Sequence, residues 1–245
     1  MVDFEYGPMA NSTWSVFNDH EHEKGCVRRV MKAKFSEFDS TQFSFHRDPV
    51  LVLEDFWSPQ EQRMFQEAME RSAWTSLADL PAVSRAFPNC GNWEKAEIGR
   101  KEAGMLLHRL ELPCIAEYIE SFPVIKHRHI NFNFYSYGVG DCLSTHDDTD
   151  EAYVSSQGPR PPLRRLALAT YVHSAWQPDW GGELMLYDLK KQDEAQTLDV
   201  VDCIAPVPGT LAIFAVPRFH RVCRVDALAG EHKRLSIAGW FMTEH

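Results

Sequence analysis

The sequence predicts a mainly β domain with supporting helices, and three features point there. After Pro123 the chain breaks into short runs rich in β-branched and aromatic residues, at 129–137, 166–173, 183–188, 210–217 and 233–241. Repeated short strands of this kind favour a sandwich or barrel over a parallel α/β sheet. Before Pro123, apolar residues recur at helical spacing instead. The length, 245 residues with 44% hydrophobic and 24% charged, suits one domain around a single core.

Taken in order, residues 1–47 show little periodicity and read as an N-terminal extension of uncertain order. Residues 48–245 read as a single domain, with helical support over 48–122 and a β core over 123–245. VLVLEDF, after Pro49, is a short strand. Ser58-Pro59-Gln60-Glu61 then forms a helix start: Ser58 caps, Pro59 suits the first turn and Glu61 completes a capping box. Met64, Phe65, Ala68 and Met69 give that helix an apolar face. Residues 79–93, with Pro81, Pro88, Asn89, Gly91 and Asn92, read as a loop. A second helical stretch runs from about Lys95 to Ile119, interrupted near Pro113. The polar segment 149–165, TDEAYVSSQGPRPPLRR, reads either as a lid over a site or as an ordinary surface loop.

Acids exceed bases by 35 to 25, a net charge of −10, which argues against a nucleic-acid partner. The local basic group Arg160, Arg164 and Arg165 is compatible with solvated surface. MVDFEYGPMANS has neither a basic n-region nor an apolar h-region, and no apolar run approaches a bilayer span. A cytoplasmic protein with no membrane partner is the expectation. The six cysteines include no C-x-x-C pair, so neither a zinc ribbon nor a redox pair is suggested.

The candidate chemistry lies in STHDDTD. On an extended strand His146 and Asp148 point to one face, so both can converge on an ion, whereas Asp147 points away. A third ligand is offered by His220, just past the apolar run TLAIFAVP. Two imidazoles and a carboxylate make the facial triad of Fe(II) oxygenases, with open positions opposite. An isolated H-x-D is weak evidence, because most such pairs are surface residues.

Two further strands add to it. In HKRLSIAGWF, Arg234, Ser236, Ala238 and Trp240 share one face. A guanidinium and a hydroxyl pointing together suit a carboxylate ligand; an edge-strand arginine paired with a surface acid fits the pattern equally. In HINFNFYSY, Asn131, Asn133, Tyr135 and Tyr137 share a face opposite Ile130, Phe132 and Phe134. That polar face suits a pocket wall, or a half-buried sheet meeting solvent.

With these residues in view, Val50 to Phe241 resembles the 2-oxoglutarate- and Fe(II)-dependent dioxygenases, in their prolyl 4-hydroxylase-like branch. The segments that carry the resemblance are YGVGDCLSTHDD, LALATYVHSAWQPDWGGELMLYD, PVPGTLAIFAVPRFHRV and KRLSIAGWF, in family order. It implies a double-stranded β-helix, or jelly roll, related to the cupins. It implies Fe(II) held by His146, Asp148 and His220, with 2-oxoglutarate and O2 as cosubstrates and ascorbate as an auxiliary. Arg234 would hold the distal carboxylate of 2-oxoglutarate, with Tyr137 and Ser236 beside it. Asn131, Asn133, Tyr135 and His173 would face substrate; His173 stands where this branch often shows Asn. The implied reaction is hydroxylation of an unactivated C–H, with a prolyl or other residue of a protein or peptide as substrate. A free amino acid or small metabolite is the second candidate substrate. A non-catalytic jelly-roll binding protein is the rival from another class.

Overall fold

The computed structural model describes residues 30–43, 49–122, 130–149, 163–192 and 195–243. Twelve strands among these residues form two sheets. In chain order they are β1 (Met31–Lys34), β2 (Val50–Glu54), β3 (Thr75–Ser76), β4 (Glu94–Glu97), β5 (Ile130–Tyr137), β6 (Leu143–His146), β7 (Leu163–Tyr171), β8 (Leu184–Gln192), β9 (Ala195–Ile204), β10 (Leu211–Ala215), β11 (His220–Val222) and β12 (Arg234–Thr243). The larger sheet has the order β1-β2-β10-β7-β12-β5-β4-β3, and the smaller β6-β11-β8-β9. All pairings are antiparallel except β1 with β2.

The two sheets face each other. Val50, Val52, Ala167, Ala212 and Phe214 of the larger sheet pack against Leu184, Leu186 and Ile204 of the smaller one, all buried. The opposite face of the larger sheet, with Leu51, Leu53, Phe134, Leu168, Ile213 and Ile237, is covered by helices. Alternation thus sorts one face to the space between the sheets and the other to the helix layer. This is the jelly roll the sequence predicts, braced from its N-terminal half.

The helices are α1 (Pro59–Glu70), α2 (Pro81–Ala86), α3 (Arg100–Leu110) and α4 (Pro113–Glu120). The predicted capping box starts α1: Ser58 accepts from the Glu61 backbone N–H, and Glu61 accepts from that of Ser58. Phe65 and Met69 carry its buried face. Arg109 of α3 bonds Glu61 and the Phe56 carbonyl. Its guanidinium also lies over the Trp57 ring, 4.9 Å from the centroid, which ties the helix layer to the start of α1. Among the described residues no helix is long and apolar enough to cross a membrane.

Three expectations need correction. Residues 94–97 form a strand rather than the start of the second helix, which opens only after Gly99. Glu-Lys-Ala-Glu has good helix formers, but β4 completes the edge of β5 and buries Ala96 there, so pairing overrides propensity. The loop expected over 79–93 contains α2, which begins at Pro81. The strand β9, whose apolar residues are interrupted by Asp199 and Asp202, was not among the expected strands and forms by pairing along β8. Within the segment read as an extension, β1 pairs with β2. Of the expected loop at 149–165, residues 150–162 lie outside the described residues.

Candidate metal centre

The strands β6 and β11 pair so that His146 and His220 are direct cross-strand partners, with ring centroids 4.2 Å apart. Each ring is oriented by a backbone carbonyl two residues before it. His146 Nδ1 lies 2.8 Å from the Ser144 carbonyl, and His220 Nδ1 lies 2.7 Å from that of Arg218. A carbonyl only accepts, so Nδ1–H donates and each Nε2 presents its lone pair inward. His146 Nε2 is 3.4 Å from Asp148 Oδ1, and His220 Nε2 is 3.5 Å from Oδ2. Candidate ligand atoms of the three residues all lie within 4.8 Å of one another.

Asp148 reaches this group by a route that strand alternation does not describe. The strand β6 ends at His146, and Asp148 sits beyond it with φ 67°. A left-handed residue, not a continued strand, turns its carboxylate inward. Asp147 is used locally, accepting from the Thr149 N–H and hydroxyl.

The protonation preferences of Asp148 and His220 suit a cation, and that of His146 runs the other way. Burial favours a neutral Asp148, but His220, His146 and Arg164 outweigh it and hold the carboxyl well below the usual range. Burial and the neighbouring His146 pull His220 down to about 4. For His146 burial also lowers the pKa, but its bond and charge interaction with Asp148 raise it on balance. An ionised carboxylate and inward-facing imidazole nitrogens are what a divalent ion requires.

Along β12 the alternation seen in the sequence holds. Arg234 pairs with Tyr137, Ser236 with Tyr135 and Tyr171, Ala238 with Asn133 and Ala169, and Trp240 with Asn131 and Ala167. Arg234 is 2% exposed. Its Nε donates to the Gly182 carbonyl at 2.7 Å, while Nη1 to Ser236 Oγ and Nη2 to Tyr171 Oη are both 3.4 Å. The guanidinium lies over the Tyr171 and Tyr137 rings. Among the described residues no carboxylate pairs with it. A buried cation with one short hydrogen bond and no carboxylate partner among the described residues keeps N–H donors available for an anion. Both phenols are pushed up by burial and so remain neutral donors. Trp93, stacked against Tyr137, has a buried indole N–H with no partner among the described residues.

Residues 132–242 match the family model of the 2OG-Fe(II) oxygenase superfamily. Over that stretch, a little under half of its length, the chain is similar to that superfamily. Its oxygenases work with Fe(II), 2-oxoglutarate and O2. Mouse (Mus musculus) prolyl 3-hydroxylase OGFOD1 is 34% identical over 114 residues, which is 46% of this chain and 18% of that protein. The match therefore spans less than a fifth of the relative's length. A Pseudomonas putida prolyl-4-hydroxylase superposes with a TM-score of 0.51 at 18% identity, over 80% of this chain and 94% of the other. A Trichoplax adhaerens prolyl hydroxylase, in complex with a hypoxia inducible factor oxygen degradation domain peptide fragment, gives 0.52 at 19% identity, over 85% and 89%. At these identities the solved structures establish a shared fold.

Sequence reasoning missed several residues at the site. Tyr171, at the end of β7, brings its hydroxyl to Arg234; only the β7–β12 register reveals it. Trp240 donates to Asp148 Oδ2 at 2.7 Å, although its place on the Arg234 face was legible. The half-buried Phe87 sets its ring edge-on to His146, with centroids 5.1 Å apart. Of the expected substrate-pocket residues, Asn131 and Asn133 bond each other at 2.9 Å, in the rows of β12 that hold Trp240 and Ala238. Tyr135 packs beside Trp93.

The structure gives His173 a different setting. Its Nε2–H donates to the Pro206 carbonyl at 2.7 Å, and Nδ1 accepts from the Leu235 N–H at 3.2 Å. It lines an outer cavity of about 460 Å³ with Gln66, Met69 and Trp74 of the helix layer. Its polar atoms are spent on backbone, so it is not brought to the triad.

Proposed function

We propose that this chain is an Fe(II)- and 2-oxoglutarate-dependent hydroxylase that acts on an unactivated C–H of a protein or peptide, with a prolyl residue as the first candidate. The observation that carries this reading is one combination: three convergent metal-ligand side chains, and a buried arginine that no carboxylate pairs with among the described residues, in a segment that matches the family model of the 2OG-Fe(II) oxygenase superfamily. The relatives' names, prolyl 3-hydroxylase and prolyl-4-hydroxylase, support the prolyl substrate.

In this reading His146, Asp148 and His220 hold the iron through two Nε2 atoms and a carboxylate oxygen. Bound iron supplies dioxygen activation, with 2-oxoglutarate oxidised to succinate and carbon dioxide as one oxygen atom enters the substrate C–H. Arg234 pairs with the distal carboxylate of 2-oxoglutarate, and the Ser236, Tyr171 and Tyr137 hydroxyls surround it. Their burial excludes water and strengthens the charge pairing. Phe87 and Phe214, each edge-on to a ligand histidine, form apolar walls. Asn131, Asn133 and Tyr135 offer amide and phenol groups to an incoming peptide. We place the protein in the cytoplasm, a reading supported by five free cysteines among the described residues, which suit a reducing compartment.

The test is a screen of proline-containing peptides, free amino acids and small metabolites, with Fe(II), 2-oxoglutarate and oxygen. Succinate release and substrate mass are read together. A peptide gaining one oxygen atom, stoichiometric with succinate and lost in His220→Ala, is the expected result. Product from free amino acids alone would move the assignment to a small-molecule hydroxylase. No succinate with any substrate would favour a non-catalytic binding protein.

A further inference from the structure

The ligand pose of Asp148 is not set by the strand before it. Its φ of 67° lies in the left-handed region, which costs a non-glycine residue roughly 1–2 kcal/mol. Such a conformation persists where its surroundings over-determine it. Two side chains from other strands do so. Trp240 Nε1–H donates to Oδ2 at 2.7 Å. Arg164 Nη1 lies 3.3 Å from the Asp148 backbone oxygen and 3.4 Å from Oδ1, so one guanidinium reaches both main chain and side chain. The two partners also hold each other, the guanidinium carbon lying 3.8 Å from the Trp240 ring centroid. That is a stacked cation–π contact.

A break in strand register brings Arg164 to this place. Along β7 and β12, Trp240 pairs with Ala167 and Phe241 with Leu166, and then the register shifts, so that Met242 faces Arg164. Cross-strand partners share a face. Skipping Arg165 therefore puts Arg164 on the face of Met242 and Trp240, where unbroken pairing would have put Arg165. Arg165 instead donates to Thr243 Oγ1 at 3.2 Å. A bulge that re-aims a side chain toward a site is a recurrent device of β folds.

We propose that Arg164 and Trp240 are positioning residues of the metal centre, a stacked pair that locks Asp148 in its ligand pose before metal arrives and so sets the affinity for a divalent ion. This rests on the reading of His146, Asp148 and His220 as the metal ligands. The pair also supplies the hydrogen bonds that a buried carboxylate loses from water, which keeps Asp148 aimed when the site holds no ion.

The experiment titrates Mn(II) into the metal-free full-length protein and follows free Mn(II) by electron paramagnetic resonance, with thermal melting of the same samples. Wild type, Trp240→Phe, Arg164→Met and His220→Ala are compared. Trp240→Phe keeps an aromatic face for Arg164 and removes only the N–H donor. Trp240→Phe and Arg164→Met are each expected to weaken Mn(II) binding by about 10–100-fold, the usual effect of losing a residue that orients a ligand. The metal-free melting point should stay near that of wild type, whereas a merely structural role would lower melting and leave the affinity of the folded protein intact. A Trp240→Phe protein that melts like wild type and binds Mn(II) equally well overturns the proposal. Should that variant not fold, Arg164→Met decides by the same criterion. Wild type that takes up no Mn(II), or binding that survives His220→Ala, overturns the ligand assignment and this proposal with it. Binding lost in His220→Ala but unchanged in both other variants overturns the positioning role alone.

Discussion

His146 and His220 stand directly opposite each other on β6 and β11, each with Nδ1 bonded to the carbonyl two residues earlier in the chain. The same local device, used twice, turns both Nε2 atoms toward Asp148. If they are metal ligands, His220→Ala removes one donor and leaves the Asp148 carboxylate partly uncompensated. Metal affinity should fall by more than about 100-fold, beyond the range seen when only an orienting partner is lost. Isothermal titration with Mn(II) or anaerobic Fe(II) checks this, and near-wild-type stoichiometric binding would remove His220 from the site.

Arg234 holds a buried guanidinium that no carboxylate pairs with among the described residues, and we propose that it binds 2-oxoglutarate. Arg234→Ala should weaken 2-oxoglutarate binding by roughly 2–5 kcal/mol, the cost of cutting one member from a buried charge pair. Arg234→Lys should recover only part, because an ammonium cannot copy the planar fork. Anaerobic calorimetry with metal present measures both variants. Unchanged affinity in Arg234→Ala would place the cosubstrate elsewhere.

Gly239 lies on β12 between Ala238 and Trp240, and a Cβ there would land on the Asn131 carbonyl oxygen of β5. The nearest atoms are all backbone of Asn131 and Phe132, which cannot swing away as a side chain would. Gly239→Ala should therefore cost about 3 kcal/mol or more, the upper range for overpacking. Urea unfolding reads the loss directly, and a midpoint equal to wild type would show that the two strands part easily.

His173 links the fold to pH. Burial lowers its pKa from 6.5 to about 4, with the nearby Arg234 charge acting the same way against two backbone hydrogen bonds. An unfolded chain takes up this proton near 6.5. Between there and about 4 the unfolded state thus binds more protons, and stability falls as pH drops. The contribution is complete above 6.5 and lost below about 4, and it amounts to about 3 kcal/mol. His173→Gln cannot titrate, so its stability curve should be flatter over that window. Parallel curves for the two proteins would show that His173 is not the group responsible.

Local signals were legible wherever local chemistry decides the structure. The Ser58–Glu61 capping box closes within four residues, so composition and spacing suffice to read it. The two-residue period of strands put Arg234, Ser236 and Trp240 on one face and Asn131 to Tyr137 on its partner, and the register of β12 with β5 agrees. The His146 and Asp148 pair with a later histidine was likewise visible as residue types and order.

What tertiary structure alone decided are the contacts whose partners lie far apart in the chain. Trp240 meets Asp148 across 92 residues, and Tyr171 meets Arg234 across 63. No periodicity reports such distances. The register break that turns Arg164 inward follows from how β7 settles against β12. Residues 94–97 look helical until the open edge of β5 takes them as β4. Asp148 joins the triad through a left-handed residue that strand alternation does not describe. In each case the deciding free energy is a pairing or a buried hydrogen bond supplied by another strand, so it exists only once the chain has brought the partners together.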